Sequence, residues 1–362
     1  MPVTLRDIAR KLELSPSLIS AVLNDRPGIW AAVETRKRIH DAASDMGYRP
    51  NSAARSLRTG KTNTVAFVYQ NTPEQQLGAV YSTAMETLAE PLGAMGYHLL
   101  VSAHNSYKGV KDTLFELAST RGCDMVVLWG QEGPVAEQAE LLEQHNMPFA
   151  IKGIHEENHP DWPQIDFHHH QMMTDVVEYM HRIGHRNIAY LGFALDDLFC
   201  QRLLKGYKDS ILRISGQTPP SEWMQFVSGR DMTRCESIIG EWLDMPKDIR
   251  PTAVAMGAGA HYNWHGIEME LAKRGIRLGN GSQDFAACGQ CTQETQLIFG
   301  QASGFRQSEI SDLAERMMDE LVKPILEGRE PASRVVKVVP VLHPIESLKL
   351  PLDGIRNSRI SV

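Results

Sequence analysis

Three groups of residues in this 362-residue chain have types and spacings that could do chemistry. The first is ELSPSLISAVLN, residues 13–24. Leu18, Ile19, Val22 and Leu23 recur at helical spacing. The face they leave open is short and uncharged: Ser15, Pro16, Ser17, Ser20, Ala21 and Asn24. A solvated helix face ordinarily carries Lys and Glu. A face of short polar side chains fits a DNA major groove about 12 Å wide. Ser15 and the free N–H groups beside it can hold a phosphate. The second group is Cys288-Gly289-Gln290-Cys291, a CxxC that could be a redox pair or half a zinc site. It equally fits reduced spectators at a strand end. The third is His168-His169-His170, which with His155 and His159 could ligate a metal. Histidines at a helix start equally fit a solvated surface.

The elements that must position these groups begin with a small head. Thr4 caps a helix, with Asp7 as its partner, and Leu5, Ile8, Ala9 and Leu12 form one buried stripe. Glu13-Leu14 is a short turn. Ser15 caps a second helix, with Pro16 in its first turn, running to about Asn24. A loop through Gly28 leads to a third helix over about 33–46. Val33, Ile39, Ala43 and Met46 face inward on it, and Gly47 ends it. Two short helices on a tight turn, then a third, predict a helix-turn-helix, against the alternative of an ordinary three-helix bundle. In YRPNSAARSLRTGK, residues 48–61, Pro50 and Gly60 bound an Ala- and Arg-rich segment too short to be a stable helix alone. It would order only against something, such as DNA and a symmetry mate.

Beyond residue 62, strand-like apolar runs alternate with helical patterns. TVAFVY (64–69), YHLLVSA (97–103), MVVLWG (125–130) and PFAIKG (148–153) are separated by helices near 79–95, 109–121 and 134–145. Then come NIAYLGF (187–193), MQFVSG (224–229), TAVAMG (252–257) and QDFAACG (283–289), with helices near 199–215 and 264–274. This alternation predicts βαβ units and parallel sheets, with ligands at the carboxyl ends of the strands. No phosphate-binding loop of the GxxxxGK[ST] type occurs, and no GxGxxG follows a strand. The rival class, an α/β enzyme with an N-terminal helical bundle, has no nucleophile or carboxylate motif behind it.

Residues 1–60 hold ten Lys and Arg against six Asp and Glu, a net +4. The chain as a whole is at −7, so the remainder carries −11. Only the head is suited to a polyanion. Five cysteines, an odd number, argue against a disulfide scaffold. The start MPVTLRDIARK has no signal-peptide core, and no apolar run approaches a membrane span. A cytoplasmic, nucleoid-associated protein with no membrane partner and no cofactor is expected.

TLRDIARKLELSPSLISAVLN, then TRKRI, then GYRPNSAARSLRTGKTNTVAFV, resembles the head, hinge and first core strand of the LacI/GalR family of bacterial repressors in order and spacing. GHRNIAYLG (184–192), RQSEISDLAERMMDELVKPILEG (306–328) and RVVKVVPVL (334–342) extend the resemblance through the chain. It implies an N-terminal all-α helix-turn-helix head on an α/β two-lobed, periplasmic-binding-protein-like core of parallel doubly wound sheets. The implied parts are a head over 1–48, a hinge over 49–61, a core over 62–345 and a tail over 346–362. Lobe one would hold about 62–183 plus 305–327, and lobe two about 184–304 plus 328–345. It also implies a homodimer on a near-palindromic operator, acting as a repressor under a small-molecule effector. Thr4, Ser15, Pro16, Ser17, Ser20, Ala21 and Asn24 would meet the major groove. Asn51, Ala54, Arg55 and Leu57 would lie at the hinge, with Leu57 the wedge into the minor groove.

Several positions depart from the family pattern. Leu18-Ile19-Ser20-Ala21 replaces Thr-Val-Ser-Arg, so a long basic reader is absent. Ala32 replaces the serine that caps the third helix. Sugar-binding members have an Arg three residues before a Gly-aromatic pair. Here Gly206-Tyr207 is kept, that slot is Leu203, and Arg202 lies one step earlier. Ala260-His261 stands at an Asn-Asp pair, and Gln290-Cys291-Thr292 at an aromatic-Asp-Asp. Tyr69, Gln70, His168, Phe199, Arg202, His261, Gln290 and Cys291 therefore compose the expected effector site, with Tyr262 and Trp264 on its rim. The ligand expected is not a standard sugar, and a metal- or thiol-sensing repressor is the alternative.

Overall fold

The computed structural model describes residues 3–24, 28, 31–48, 56, 59–70, 78–130, 132–194, 197–228, 231–257, 264–279, 285–291, 304–307, 310–339 and 341–343. The chain divides into two compact units, Met1–Thr62 and Asn63–Val362.

In the first unit, α1 (Leu5–Leu12), α2 (Pro16–Leu23) and α3 (Val33–Asp45) close around Ile8, Ile19, Val22 and Ile39. The caps are those the sequence predicts. The Thr4 N–H and hydroxyl both donate to the Asp7 carboxylate, at 3.0 and 2.7 Å. Those bonds hold the Asp7 carboxyl below its ordinary range. Ser15 Oγ accepts from the Leu18 N–H at 3.2 Å, and Pro16 opens α2. α3 begins after Ala32 with no side-chain cap. One expectation fails: Val33 is 85% exposed, not inward. It is the first residue of α3, ahead of the Ile39–Ala43 stripe that meets the other helices.

In the second unit, β1 (Thr64–Gln70), α4 (Gly78–Ala94), β2 (His98–His104), α5 (Tyr107–Thr120), β3 (Met125–Trp129), α6 (Glu132–Gln144), β4 (Phe149–Lys152) and β5 (Gln164–Phe167) build the first lobe. The second lobe follows. It contains α7 (His169–Arg182), β6 (Ile188–Phe193), α8 (Leu198–Ser215), β7 (Met224–Val227), α9 (Met232–Leu243), β8 (Ala253–Met256), α10 (Trp264–Lys273), β9 (Ala286–Cys291) and β10 (Gly304–Gln307). The chain then returns through α11 (Ile310–Met317), a π-helical turn over Met318–Val322, α12 (Lys323–Leu326) and β11 (Val335–Val338), and ends its described course in β12 (Val341–His343).

The two sheets run β2-β1-β3-β4-β5-β11 and β7-β6-β8-β9-β10-β12. The topology is thus repeated, lobe for lobe. All neighbours are parallel except the β10–β12 pair. Strands covered on both faces must be apolar on both faces. In β1, Val65 and Phe67 join a core with α4 and the α11–α12 segment, while Ala66 and Val68 join one with α5 and α6. In the second lobe, Ala189 and Leu191 of β6 pack with α9 and α10, and Ile188 and Tyr190 with α7 and α8.

The lobe boundaries differ from the expected ones. Residues 169–182 pack on the second sheet, because Met172, Met173, Val176, Val177 and Met180 share a core with Ile188 and Tyr190. Residues 306–307, expected to open the last helix, are strand in the second sheet. The run RVVKVVPVL, expected as one strand of the second lobe, is cut: Val335–Val338 pairs with β5 in the first sheet, and Val341–His343 with β10 in the second. Pro340 lies between them and has no N–H for a ladder.

Candidate functional site

On α2, Ser15, Pro16, Ser17 and Asn24 are exposed, and Ser20 is half-buried. Asn24 Nδ2 donates to the Ser20 carbonyl at 2.5 Å and extends the helix's last turn. Thr4 is exposed at the start of α1. Ala21 does not belong to this surface. It is 2% exposed, turned inward beside Val22, so the face open to a nucleic acid is Ser15, Pro16, Ser17 and Asn24, with Ser20 at its edge. Asn51, Ala54, Arg55 and Leu57 lie outside the described residues.

The repeated strand order places a topological switch point between β1 and β3 in one lobe and between β6 and β8 in the other. Doubly wound sheets take ligands at the carboxyl ends there. Tyr69 and Gln70 close β1. Tyr69 stacks on Tyr81 of α4 at 4.3 Å, and the Tyr81 hydroxyl donates to the Gln70 carbonyl at 3.3 Å. Burial pushes the Tyr81 phenol up to about 12. In the second lobe, β6 leads into α8, capped by Asp197, whose Oδ1 accepts from the Phe199 N–H at 2.8 Å. Phe199 lies against His169, ring centroids 5.7 Å apart. Arg202 Nη2 donates to the Ile154 carbonyl of the first lobe at 2.5 Å. Gln290 and Cys291 lie in β9, beside Arg306 and Gln307 of β10. His261 and Tyr262 lie outside the described residues. Trp264 is buried at the start of α10.

His168 is the residue at which the chain passes from β5 into α7. Its N–H donates to the Val338 carbonyl at 2.7 Å, tying the first crossing between lobes to the end of β11. Its Nδ1 accepts from the Gln171 N–H at 3.2 Å and caps α7. Burial lowers its pKa.

Where β4 and β5 meet α7 and α8 lies a set of charged and polar groups that sequence reasoning passed over. Asp166, in β5, is fully buried, with its Oδ2 3.2 Å from Lys152 Nζ and 3.5 Å from His169 Nε2. Burial alone would raise the Asp166 carboxyl. The Lys152 ammonium and His169 outweigh it and hold the carboxyl well below the usual carboxylate range. His155 is 7% exposed. Burial, reinforced by the charge of Arg202, pushes its imidazole down to about 4, so it is neutral at pH 7. Burial raises the Asp197 carboxyl, against the Phe199 N–H that it accepts. Among the described residues, His155 Nε2, His169 Nδ1 and Asp197 Oδ2 are buried with no hydrogen-bond partner. Buried polar atoms are ordinarily paired, so these are left to a water or a ligand. The signal was present in the sequence: a Lys in PFAIKG and an Asp in QIDF, each a lone charge in an apolar strand-like run.

The histidine cluster disperses. His159 stacks on Trp162 at 3.6 Å, His170 pairs with Asp209 at 2.8 Å, and His155, His168 and His169 sit as described. No group of three or more His, Cys, Asp or Glu among the described residues is placed to hold a metal ion. Cys288 is buried in the core of the second lobe and forms no disulfide among the described residues. No helix among the described residues is long and apolar enough to cross a membrane.

No family model matches the chain. Similarity to individual proteins is extensive. Catabolite control protein A of Priestia megaterium is 26% identical over 339 residues, 93% of this chain and 92% of that one. The transcriptional repressor CytR of Escherichia coli K12 is 24% identical over 255 residues, 69% of this chain and 70% of that one. Among solved structures, the Lac repressor dimer bound to operator and the anti-inducer ONPF is similar with a TM-score of 0.75 at 17% identity, covering 96% of this chain and 100% of that one. The regulator CelR in complex with cellobiose gives 0.64 at 18%, covering 94% and 98%. Such relatives are regulators and not enzymes, which removes the α/β enzyme alternative. The chain thus has a Lac-repressor-like fold and is similar over nine-tenths of its length to a catabolite control protein, the likeness its head, hinge and core motifs imply.

Proposed function

We propose that the chain is a sequence-specific repressor that binds a near-palindromic operator as a homodimer, under control of a small molecule held between the lobes of its core. The observation that carries the DNA half is the exposed, uncharged, short-side-chain face of α2 in a head with a net charge of +4. Such a face can enter a major groove, and the α2 N-terminus, where Ser15 sits, can take a phosphate. With no long basic reader on that face, part of the specificity comes from DNA shape and from the hinge over 49–61, with Leu57 as the wedge into the minor groove. A similarly folded repressor dimer bound to operator supports the same reading.

The effector half rests on the buried, unpartnered polar atoms at the carboxyl ends of the strands. Tyr69, Phe199, His155, His169 and Asp197 offer rings to stack and polar atoms to pair, and Asp166 is held ionised among them. Two sites with reciprocal coupling, typically about 1–3 kcal/mol, make the protein a switch.

Selection of duplexes from a random pool by the full chain, followed by fluorescence anisotropy, tests the DNA reading. A palindromic consensus should emerge, with affinity falling steeply between 50 and 200 mM salt as roughly 0.9 counterions are released per phosphate contacted. No preference for any duplex over random DNA would end the proposal. Leu57→Ala should weaken specific binding far more than non-specific binding, and equal losses on both would remove the wedge. A thermal-shift panel of sugars, nucleosides, organic phosphates and divalent metals tests the effector half. A ligand at 100 times its Kd adds about 2.7 kcal/mol.

A further inference from the structure

Arg202 and Leu203 are neighbours on α8, about 100° apart around the helix. Leu203 is fully buried in the core that α8 shares with α7 and β6. Arg202 consequently leaves the second lobe and donates Nη2–H to the main-chain carbonyl of Ile154, just after β4 of the first lobe, at 2.5 Å. The two residues are 48 apart in sequence, so chain continuity does not impose the contact. A guanidinium on a carbonyl is a charge-assisted bond. Its acceptor is backbone, so no side chain at 154 has to be kept for it. The first lobe is firm at this point: Ile154 is 4% exposed, and the next residue's N–H donates to Gln164 Oε1 at 2.5 Å. Nearby, Asp166 of the first lobe faces His169 at the start of α7, and Phe199 of α8 lies against that His169.

We propose that Arg202 is an interlobe clasp: it closes the core before any effector arrives, so an effector acts on a cleft already shut and does not have to shut an open one. The inference rests on reading the space between the lobes as the effector site. Arg202 then sets the resting state of the switch as a positioning residue, in place of reading the ligand.

The test uses the full chain without ligand, with a donor and an acceptor dye on unnatural amino acids at Glu116 of α5 and Lys208 of α8, both exposed. Single-molecule energy transfer reports the distance between lobes. The parent chain should show mainly the short distance. Arg202→Met should move the closed-to-open ratio by about tenfold or more toward open, the weight of one hydrogen bond to a charged group. Arg202→Lys, which keeps a donor of similar reach, should recover part of that ratio. All variants are compared by near-ultraviolet circular dichroism, and Arg202→Ala, which also removes the donor, carries the comparison if Arg202→Met is unfolded. An unchanged distance distribution in Arg202→Met, or in Arg202→Ala where only that variant folds, overturns the clasp. Titration of the same samples with the selected duplex separates the two claims. Loss of DNA preference defeats the regulator reading and leaves the distances informative. Normal DNA binding with unmoved distances defeats the clasp alone.

Discussion

Asp166→Asn is the sharpest probe of the cleft. Asparagine keeps the shape of the side chain and the oxygen that accepts the Phe167 N–H at 2.8 Å, so β5 should retain its geometry. What goes is one charge. Lys152, whose side chain is 19% exposed, then faces a neutral amide at the distance where it had a carboxylate at 3.2 Å. Removing one partner of a buried ion pair costs about 3–5 kcal/mol, most of it the stranded charge. The partial exposure of Lys152 lets water recover some of this, so about 2–4 kcal/mol is expected. Against a total stability of about 5–15 kcal/mol that is a large share. Urea unfolding followed by tryptophan fluorescence should show the midpoint falling by about 1 M at unchanged slope, taking a slope of about 3 kcal/mol/M. Lys152→Met with Asp166→Leu removes both charges and should regain most of the loss. A single-variant cost below about 1 kcal/mol, or a double variant as damaged as the two singles added, would refute the view of Asp166 and Lys152 as a mutually dependent buried pair.

Acid should act through His155. Its folded pKa is about 4 and its ordinary value 6.5. Between those values the unfolded chain takes up a proton that the folded chain refuses. Stability is therefore full above pH 6.5 and falls by up to about 3 kcal/mol toward pH 4, and His155→Asn should flatten that stretch of a stability–pH curve. Gly206→Ala should lower the melting temperature by the equivalent of about 2–3 kcal/mol, because a Cβ there would meet the His170 carbonyl oxygen at 2.5 Å. Gly93→Ala, on α4 with nothing within 4 Å of its Cβ, should raise stability by up to about 1 kcal/mol. Ile19→Ala should cost the head about 3 kcal/mol and abolish DNA binding while leaving the unfolding transition of the larger unit where it was, since the two are separate compact units.

Most of the core was legible because a doubly wound sheet writes itself twice over. Strands buried on both faces appear as unbroken apolar runs, and helices between them show a 3.6-residue stripe. TVAFVY, MVVLWG and NIAYLGF match their strands to within a residue or two for that reason. QIDF escapes a sequence reading because its Asp166 interrupts the run, and the charge that hides the strand is the one that meets Lys152 and His169. The cut in RVVKVVPVL was invisible for a different reason. Nothing local tells a chain that its next three residues pair with another sheet; that is decided by strands elsewhere in the sequence, β5 for the first part and β10 for the second. The head was legible down to its caps, because capping is a matter of three or four neighbouring residues. Ala21 and Val33 failed on side-chain direction: a helix wheel gives relative angles, and only the partner helices fix which angle is inside.

The Gly206-Tyr207 pair shows how a motif position and a physical role come apart. Gly206 lets α8 approach the backbone of α7 to within a Cβ's width, and Tyr207 is fully buried with its hydroxyl donating to the Ile188 carbonyl at 2.8 Å. Both residues set how α8 is seated on the second lobe. Once that seat is fixed, the direction of every other side chain on α8 follows from its offset along the helix. An arginine at 203 would enter the core that Leu203 fills, where its charge would find no water. At 202 it leaves the lobe and reaches across to Ile154. A one-residue shift in sequence thus changes which lobe the guanidinium serves. An Arg202-Leu203 exchange should consequently do more harm than either single substitution to Ala: it buries a cation in the second lobe and opens the contact to the first. If the exchanged protein were as stable as the parent, α8 would not be held in the rotation that Gly206 and Tyr207 impose.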